Sequence, residues 1–146
     1  MTTSQFDLDS CIMCITSRSS KLFASKFNDA LAPMGINRSA WMALYYIDQH
    51  QQIRQRDLAE LVGITGPSMV KVVNQLSTAD LITVAVSAQD HRARLLALTP
   101  AGTALLTKSI PLAEAFRTQV TAGIPQADLD TLDRVMEQMM ANANDL

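Results

Sequence analysis

Histidine and cysteine are scarce in this sequence, with two of each in 146 residues. His50 sits alone in the polar run Gln49-His50-Gln51-Gln52 and His91 lies on a distant segment, so the chain offers no His-rich metal-ligand spacing. It also shows no phosphate-binding glycine loop, no Ser-His-Asp array and no carboxylate pair. The expectation is a protein that is not an enzyme and carries no metal and no cofactor. Charge of one sign is missing too, since a formal net charge of -2 gives no composition-level pointer to nucleic acid. No apolar run reaches the length of a membrane span, and Met1-Thr2-Thr3-Ser4-Gln5-Phe6-Asp7-Leu8-Asp9 lacks a basic stretch leading into an apolar one. A cytoplasmic protein without a membrane partner is therefore expected, with Cys11 and Cys14 reduced at rest.

What is present is enough chain for one domain, with an ordinary apolar fraction of 48%. The charges are unevenly placed. Between residues 54 and 108 six cations face four carboxylates, a net +2, whereas from residue 109 onward two arginines face six carboxylates, a net -4. The signs agree with a DNA-facing centre and an acidic tail kept away from phosphates, and almost as well with an ordinary solvated surface.

Residues 58–98 are the most informative stretch. Leu58, Leu61 and Val62 predict one face of a short helix, which Gly63 can stop. Thr65 can cap a second helix, and Pro67 suits its first turn, where an N–H is not needed. Met69, Val72, Val73 and Leu76 then fall at i, i+3, i+4 and i+7, so this face must pack inward. The other face holds Gly66, Ser68, Val70, Lys71, Asn74 and Gln75. It is small and polar, with one cation and no carboxylate, and suits a DNA groove. Residues 82–86 and 95–98 are β-like runs flanking a charged tip, which predicts a hairpin. Ile53, with Arg54-Gln55-Arg56, is read as a minimal strand beside it.

On either side lie helical patterns. Residues 8–31 read as one long helix whose apolar positions, among them Ile12, Ile15, Phe23 and Phe27, serve either ordinary core packing or contact between subunits. Asn37 can cap the next helix, with Ala40, Trp41, Leu44, Tyr45 and Ile47 on and around one face. Thr99-Pro100 opens a long helix that Pro111 should kink or divide. After Gly123-Ile124-Pro125, a final amphipathic helix carries Leu129, Leu132, Val135, Met136, Met139 and Met140.

Thr65-Gly66-Pro67-Ser68, then Asp90-His91-Arg92, then Leu98-Thr99-Pro100-Ala101-Gly102 follow one another in an order that resembles the MarR (multiple antibiotic resistance regulator) family of bacterial transcription factors, over nearly the whole chain. The resemblance implies a mainly α fold with a small β-wing (α+β), in a single MarR-like domain. A winged helix-turn-helix lobe would occupy about 37–99, with dimerisation helices at about 7–32 and 100–146. It implies a homodimeric regulator of double-stranded DNA with a roughly palindromic operator, a repressor released by a small-molecule or oxidative signal.

Under that resemblance Thr65, Pro67, Ser68, Val70, Lys71, Asn74 and Gln75 meet the major groove. Arg92 enters the minor groove with Asp90 orienting its guanidinium, and Arg94 contacts phosphate or supports Asp90. Gly66, Val70 and His91 depart from residues frequent in the family, so no relative's operator is transferred to this chain. Family members commonly answer to a small, often aromatic and anionic effector, for which Phe23, Trp41 and Tyr45 are candidate lining residues; core packing is the other reading of each. Some relatives sense peroxide through an N-terminal-helix cysteine, which makes Cys11-Ile12-Met13-Cys14 a candidate redox sensor, with small buried hydrophobes as the alternative. Two other classes remain open. A thiol-based enzyme would lack the usual βαβ setting of a CxxC, and a winged-helix protein-interaction module would have no use for Lys71, Arg92 and Arg94.

Overall fold

The alternation between helix-period and strand-period patterning becomes six α-helices and three short strands among the described residues, 6–146, of the computed structural model. In chain order they are α1 (Ile12–Leu31), α2 (Arg38–His50), β1 (Ile53–Arg54), α3 (Gln55–Val62), α4 (Gly66–Thr78), β2 (Ile82–Val86), β3 (Arg94–Leu98), α5 (Pro100–Val120) and α6 (Gln126–Asn144). A single 3-10 turn, Ala32–Met34, joins α1 to α2.

Side-chain caps start three of these helices where the sequence places them. The Ala40 N–H donates to Asn37 Oδ1 at 2.9 Å, the Ser68 N–H to Thr65 Oγ1 at 3.3 Å, and the Gly102 N–H to Thr99 Oγ1 at 3.0 Å. The strands form an antiparallel sheet in the order β1-β3-β2. Ile53 lies opposite Leu96, and Val84 faces Leu96 from the other side, so the two-residue strand expected beside the hairpin is present.

The core of the first compact unit, which ends at Ala113, is built where these elements meet. Leu31, Leu44, Ile47, Leu58, Met69, Leu76 and Leu96 are fully buried. The four positions expected to face inward on α4 all do so. Trp41 lies edge-on to Phe27 at 5.2 Å and stacks on Tyr45 at 5.8 Å. Its indole N–H donates to Ser109 Oγ at 2.7 Å, and that buried hydroxyl donates in turn to the Leu106 carbonyl, which satisfies both polar groups. Glu114–Leu146 form a second unit, containing the end of α5 and all of α6. No residue of α6 is buried.

The structure departs from the sequence reading at three places. The first helix begins at Ile12 rather than Leu8, because Asp7 draws the preceding backbone into a turn: its Oδ1 accepts from the Asp9 N–H and its carbonyl from the Ser10 hydroxyl. Leu61 is 42% exposed, since the short α3 buries one narrow stripe of Leu58, Ala59 and Val62 and Leu61 falls on its far flank. Pro111 does not divide α5, which runs through it.

The entry into α5 depends on close backbone approach. The Thr99 N–H donates to the Leu81 carbonyl at 3.1 Å, and a Cβ at Gly102 would overlap that same carbonyl oxygen. Gly102→Ala should therefore destabilise the fold by about 1–3 kcal/mol, the usual cost of forcing atoms into a packed site. Urea denaturation measures this, and a midpoint equal to wild type would show that the first turn of α5 shifts freely.

Candidate nucleic-acid interface

The turn between α3 and α4 is set by Gly63, whose φ of 77° is the left-handed conformation a helix end favours. Its N–H bonds back to the Ala59 and Glu60 carbonyls, which ends α3 and turns the chain into Thr65. Burial of Met69, Val72, Val73 and Leu76 then leaves Ser68, Val70, Lys71, Asn74 and Gln75 exposed along α4, with Pro67 exposed in its first turn. Thr65 is occupied as a cap, and its hydroxyl donates to Ser68 Oγ at 3.0 Å.

The wing tip is held by its own hydrogen bonds. Buried Ser87 Oγ accepts from the N–H groups of Gln89 and Asp90 at 3.3 and 3.4 Å. Asp90 Oδ1 accepts from the Arg92 backbone N–H at 3.0 Å, and Arg94 Nη1 donates to the His91 carbonyl at 3.3 Å. This corrects the expected pairing. Asp90 shapes the turn beneath Arg92 instead of clamping its guanidinium, and Arg94 braces the tip instead of Asp90. The single side-chain ion pair among the described residues lies elsewhere, between Arg18 and Asp9 at 3.8 Å. Arg92 is exposed.

A cleft of about 730 Å³ lies between the α3–α4 pair and the wing. Ala59, Ile64, Met69 and Val70 give it apolar surface, and Arg54, Arg56, Arg92 and Arg94 outnumber Glu60 and Asp90 around it. Sequence reasoning did not assign Arg54 and Arg56 to the interface. The β1–β3 pairing puts Arg54 opposite Leu95, one residue from Arg94, and this register is what brings the arginines together. The available signal was the Arg-Gln-Arg run following the minimal strand.

The effector candidates are placed unequally. Trp41 and Tyr45 share the ring stack, with Trp41 hydrogen-bonded to Ser109, while Phe23 is 46% exposed on α1. Both cysteines are free and half-buried. Because α1 starts late, Cys11 is its N-cap residue and Cys14 lies in its first turn. Cys11 makes no side-chain cap hydrogen bond, and the Cys14 N–H donates to its carbonyl, but the backbone N–H groups of Cys14 and then Met13 lie close enough to favour the Cys11 thiolate and hold its pKa below the ordinary thiol value, while burial, reinforced by Cys11, pushes Cys14 up. Among the described residues no cluster of His, Cys, Asp and Glu could hold a metal ion, and no helix is long and apolar enough to cross a membrane.

A MarR family model matches residues 34–93, from the 3-10 turn through α2, α3 and α4 to the wing tip. The segment that folds as the winged helix-turn-helix is the part of this chain that matches the MarR family. That family is one of DNA-binding transcriptional regulators of the winged helix-turn-helix type, not of enzymes. Solved structures share the fold along most of the MarR-like chain. CouR from Rhodococcus jostii RHA1, bound to p-coumaroyl-CoA, has 22% identity and a TM-score of 0.81, with 93% of this chain and 95% of CouR covered. BpsR of Bordetella bronchiseptica, whose DNA binding is regulated by 6-hydroxynicotinic acid, has 18% identity and a TM-score of 0.85, with 94% and 98% covered. A mutant MarR from E. coli complexed with operator DNA has 15% identity and a TM-score of 0.83, with 94% and 99% covered.

The opposed thiol shifts predict ordered alkylation. With iodoacetamide near neutral pH, Cys11 should label before Cys14, because its thiolate is populated at lower pH. Peptide mass spectrometry over time reads the order, and equal rates would show that the N–H groups at the start of α1 do not favour the Cys11 thiolate in solution.

Proposed function

We propose that this protein is a homodimeric repressor of the MarR type, each protomer presenting α4 to the major groove and Arg92 to the minor groove of one half of a roughly palindromic operator. The observation that carries the reading is the exposed face of α4. It holds Ser68, Val70, Lys71, Asn74 and Gln75 without a carboxylate, beside a cleft lined by Arg54, Arg56, Arg92 and Arg94. Amides and hydroxyls suit base edges, and the cations suit phosphates.

Dimerisation is supported by apolar surface left in water. On α1, Ile12, Leu22 and Phe23 are 45, 55 and 46% exposed, and on α6, Leu132, Val135 and Met140 are 55, 41 and 56% exposed. Such faces on amphipathic helices call for a partner, and a second copy supplies one with the two-fold symmetry that a palindrome matches.

Two release signals have support. CouR and BpsR favour a small aromatic or anionic effector. The N-cap position of Cys11 favours oxidation. A hydroperoxide would oxidise the Cys11 thiolate to a sulfenic acid, releasing an alcohol or water, and the Cys14 thiol would displace water from it to give the disulfide.

Fluorescence anisotropy on DNA flanking its own gene tests the main reading. Binding should prefer one fragment and weaken steeply with salt. Arg92→Ala should lower affinity by about tenfold, within the range for a lost specific contact, while leaving thermal stability unchanged. Uniform, salt-insensitive binding would reject the proposal. For the oxidative signal, a peroxide-induced loss of binding should vanish in a Cys11→Ser, Cys14→Ser variant; wild-type binding indifferent to peroxide would remove the thiols as the trigger.

A further inference from the structure

Val70 is the one large apolar side chain exposed on α4, at 45%, while Met69, Val72, Val73 and Leu76 are buried. At that exposure its isopropyl group is only partly covered by the protein, so apolar surface remains to be buried. Gly66 precedes it by four residues, one turn back on the same stripe of the helix. No tertiary contact requires glycine there. The backbone is not left-handed and, apart from the chain neighbours and the helix's own backbone, a Cβ would meet nothing within 4 Å; the one local cost of a Cβ is its approach to the ring of Pro67. Glycine thus leaves a shallow hollow beside Val70, open towards the cleft that both residues line.

The apolar group that a major groove offers to such a hollow is the 5-methyl of thymine; the remaining base-edge features there are hydrogen-bond donors and acceptors. We propose that each half-site carries a thymine whose methyl group seats against Val70 in the space left by Gly66, making this pair a specificity determinant. The inference rests on α4 being the major-groove helix and goes beyond it by naming the base and the atom read. Asn74, four residues beyond Val70 on the same stripe, carries the amide that fits an adenine edge, so an adjacent A·T step matches the same face.

The test begins by selecting an operator from random duplexes with the full-length protein, then replacing each thymine in turn by uracil, which removes only the methyl group. Wild type should lose about fourfold in affinity at one thymine per half-site, the size of one buried methyl, and Val70→Ala should lose that sensitivity. Gly66→Ala gives the sharper result. It should still fold, with at most a small loss of thermal stability from the Cβ before Pro67, bind the thymine operator more weakly than wild type, and prefer the uracil operator, because the added methyl fills the seat. An enriched operator that tolerates uracil everywhere, or an equal thymine-to-uracil ratio in wild type and Val70→Ala, overturns the inference while leaving DNA recognition intact. Failure to enrich any sequence overturns it together with the operator reading.

Discussion

Met69, Val72, Val73 and Leu76 must leave water together, and that one requirement orients everything the protein can present to DNA. Once they pack with Leu44, Leu58 and Leu96 in a common core, α4 has no rotational freedom. Ser68, Val70, Lys71, Asn74 and Gln75 are then outside by geometry rather than by any interaction of their own. The Thr65 cap and the left-handed Gly63 fix the remaining freedom, which is where α4 starts and at what angle it leaves α3.

The wing follows from a second, smaller constraint. Ser87 is a buried hydroxyl whose oxygen accepts two backbone N–H groups, and Asp90 takes a third. With the turn satisfied internally, Arg92 is not consumed by an ion pair and projects as an exposed cation. This division of labour suits an interface. Carboxylate and hydroxyl groups hold the backbone, and the guanidinium that would meet a phosphate or a narrow groove carries no competing anion. The minimal strand β1 then brings Arg54 beside Arg94, extending the positive surface to the start of α3.

Away from the DNA-facing lobe the balance is different. The Trp41 indole N–H and the Ser109 hydroxyl are satisfied within the chain, whereas α1 and α6 expose large apolar side chains such as Leu22, Phe23, Leu132 and Met140. The winged lobe is thus complete within one chain. The terminal helices have the chemistry of surfaces completed by association. Cys11 lies at the start of one of them, where a change in thiol chemistry would act on the helix terminus itself rather than on the recognition surface.

The sequence by itself determined the elements whose causes are local. The period of Met69, Val72, Val73 and Leu76 and the caps at Asn37, Thr65 and Thr99 specify helix starts and faces through neighbours three or four residues away. The β-like runs likewise predicted β2 and β3 almost to the residue. Tertiary structure decided what depends on distant partners or on competition between local bonds. Leu61 shares an apolar period with Leu58 and Val62, but the width of contact available to an eight-residue helix leaves it exposed. Cys11 became a cap, not a helical residue, because the Asp7 turn outcompeted another turn of helix. Arg54 joined the wing arginines through sheet register alone, since no spacing along the chain encodes which residue of β3 lies opposite β1.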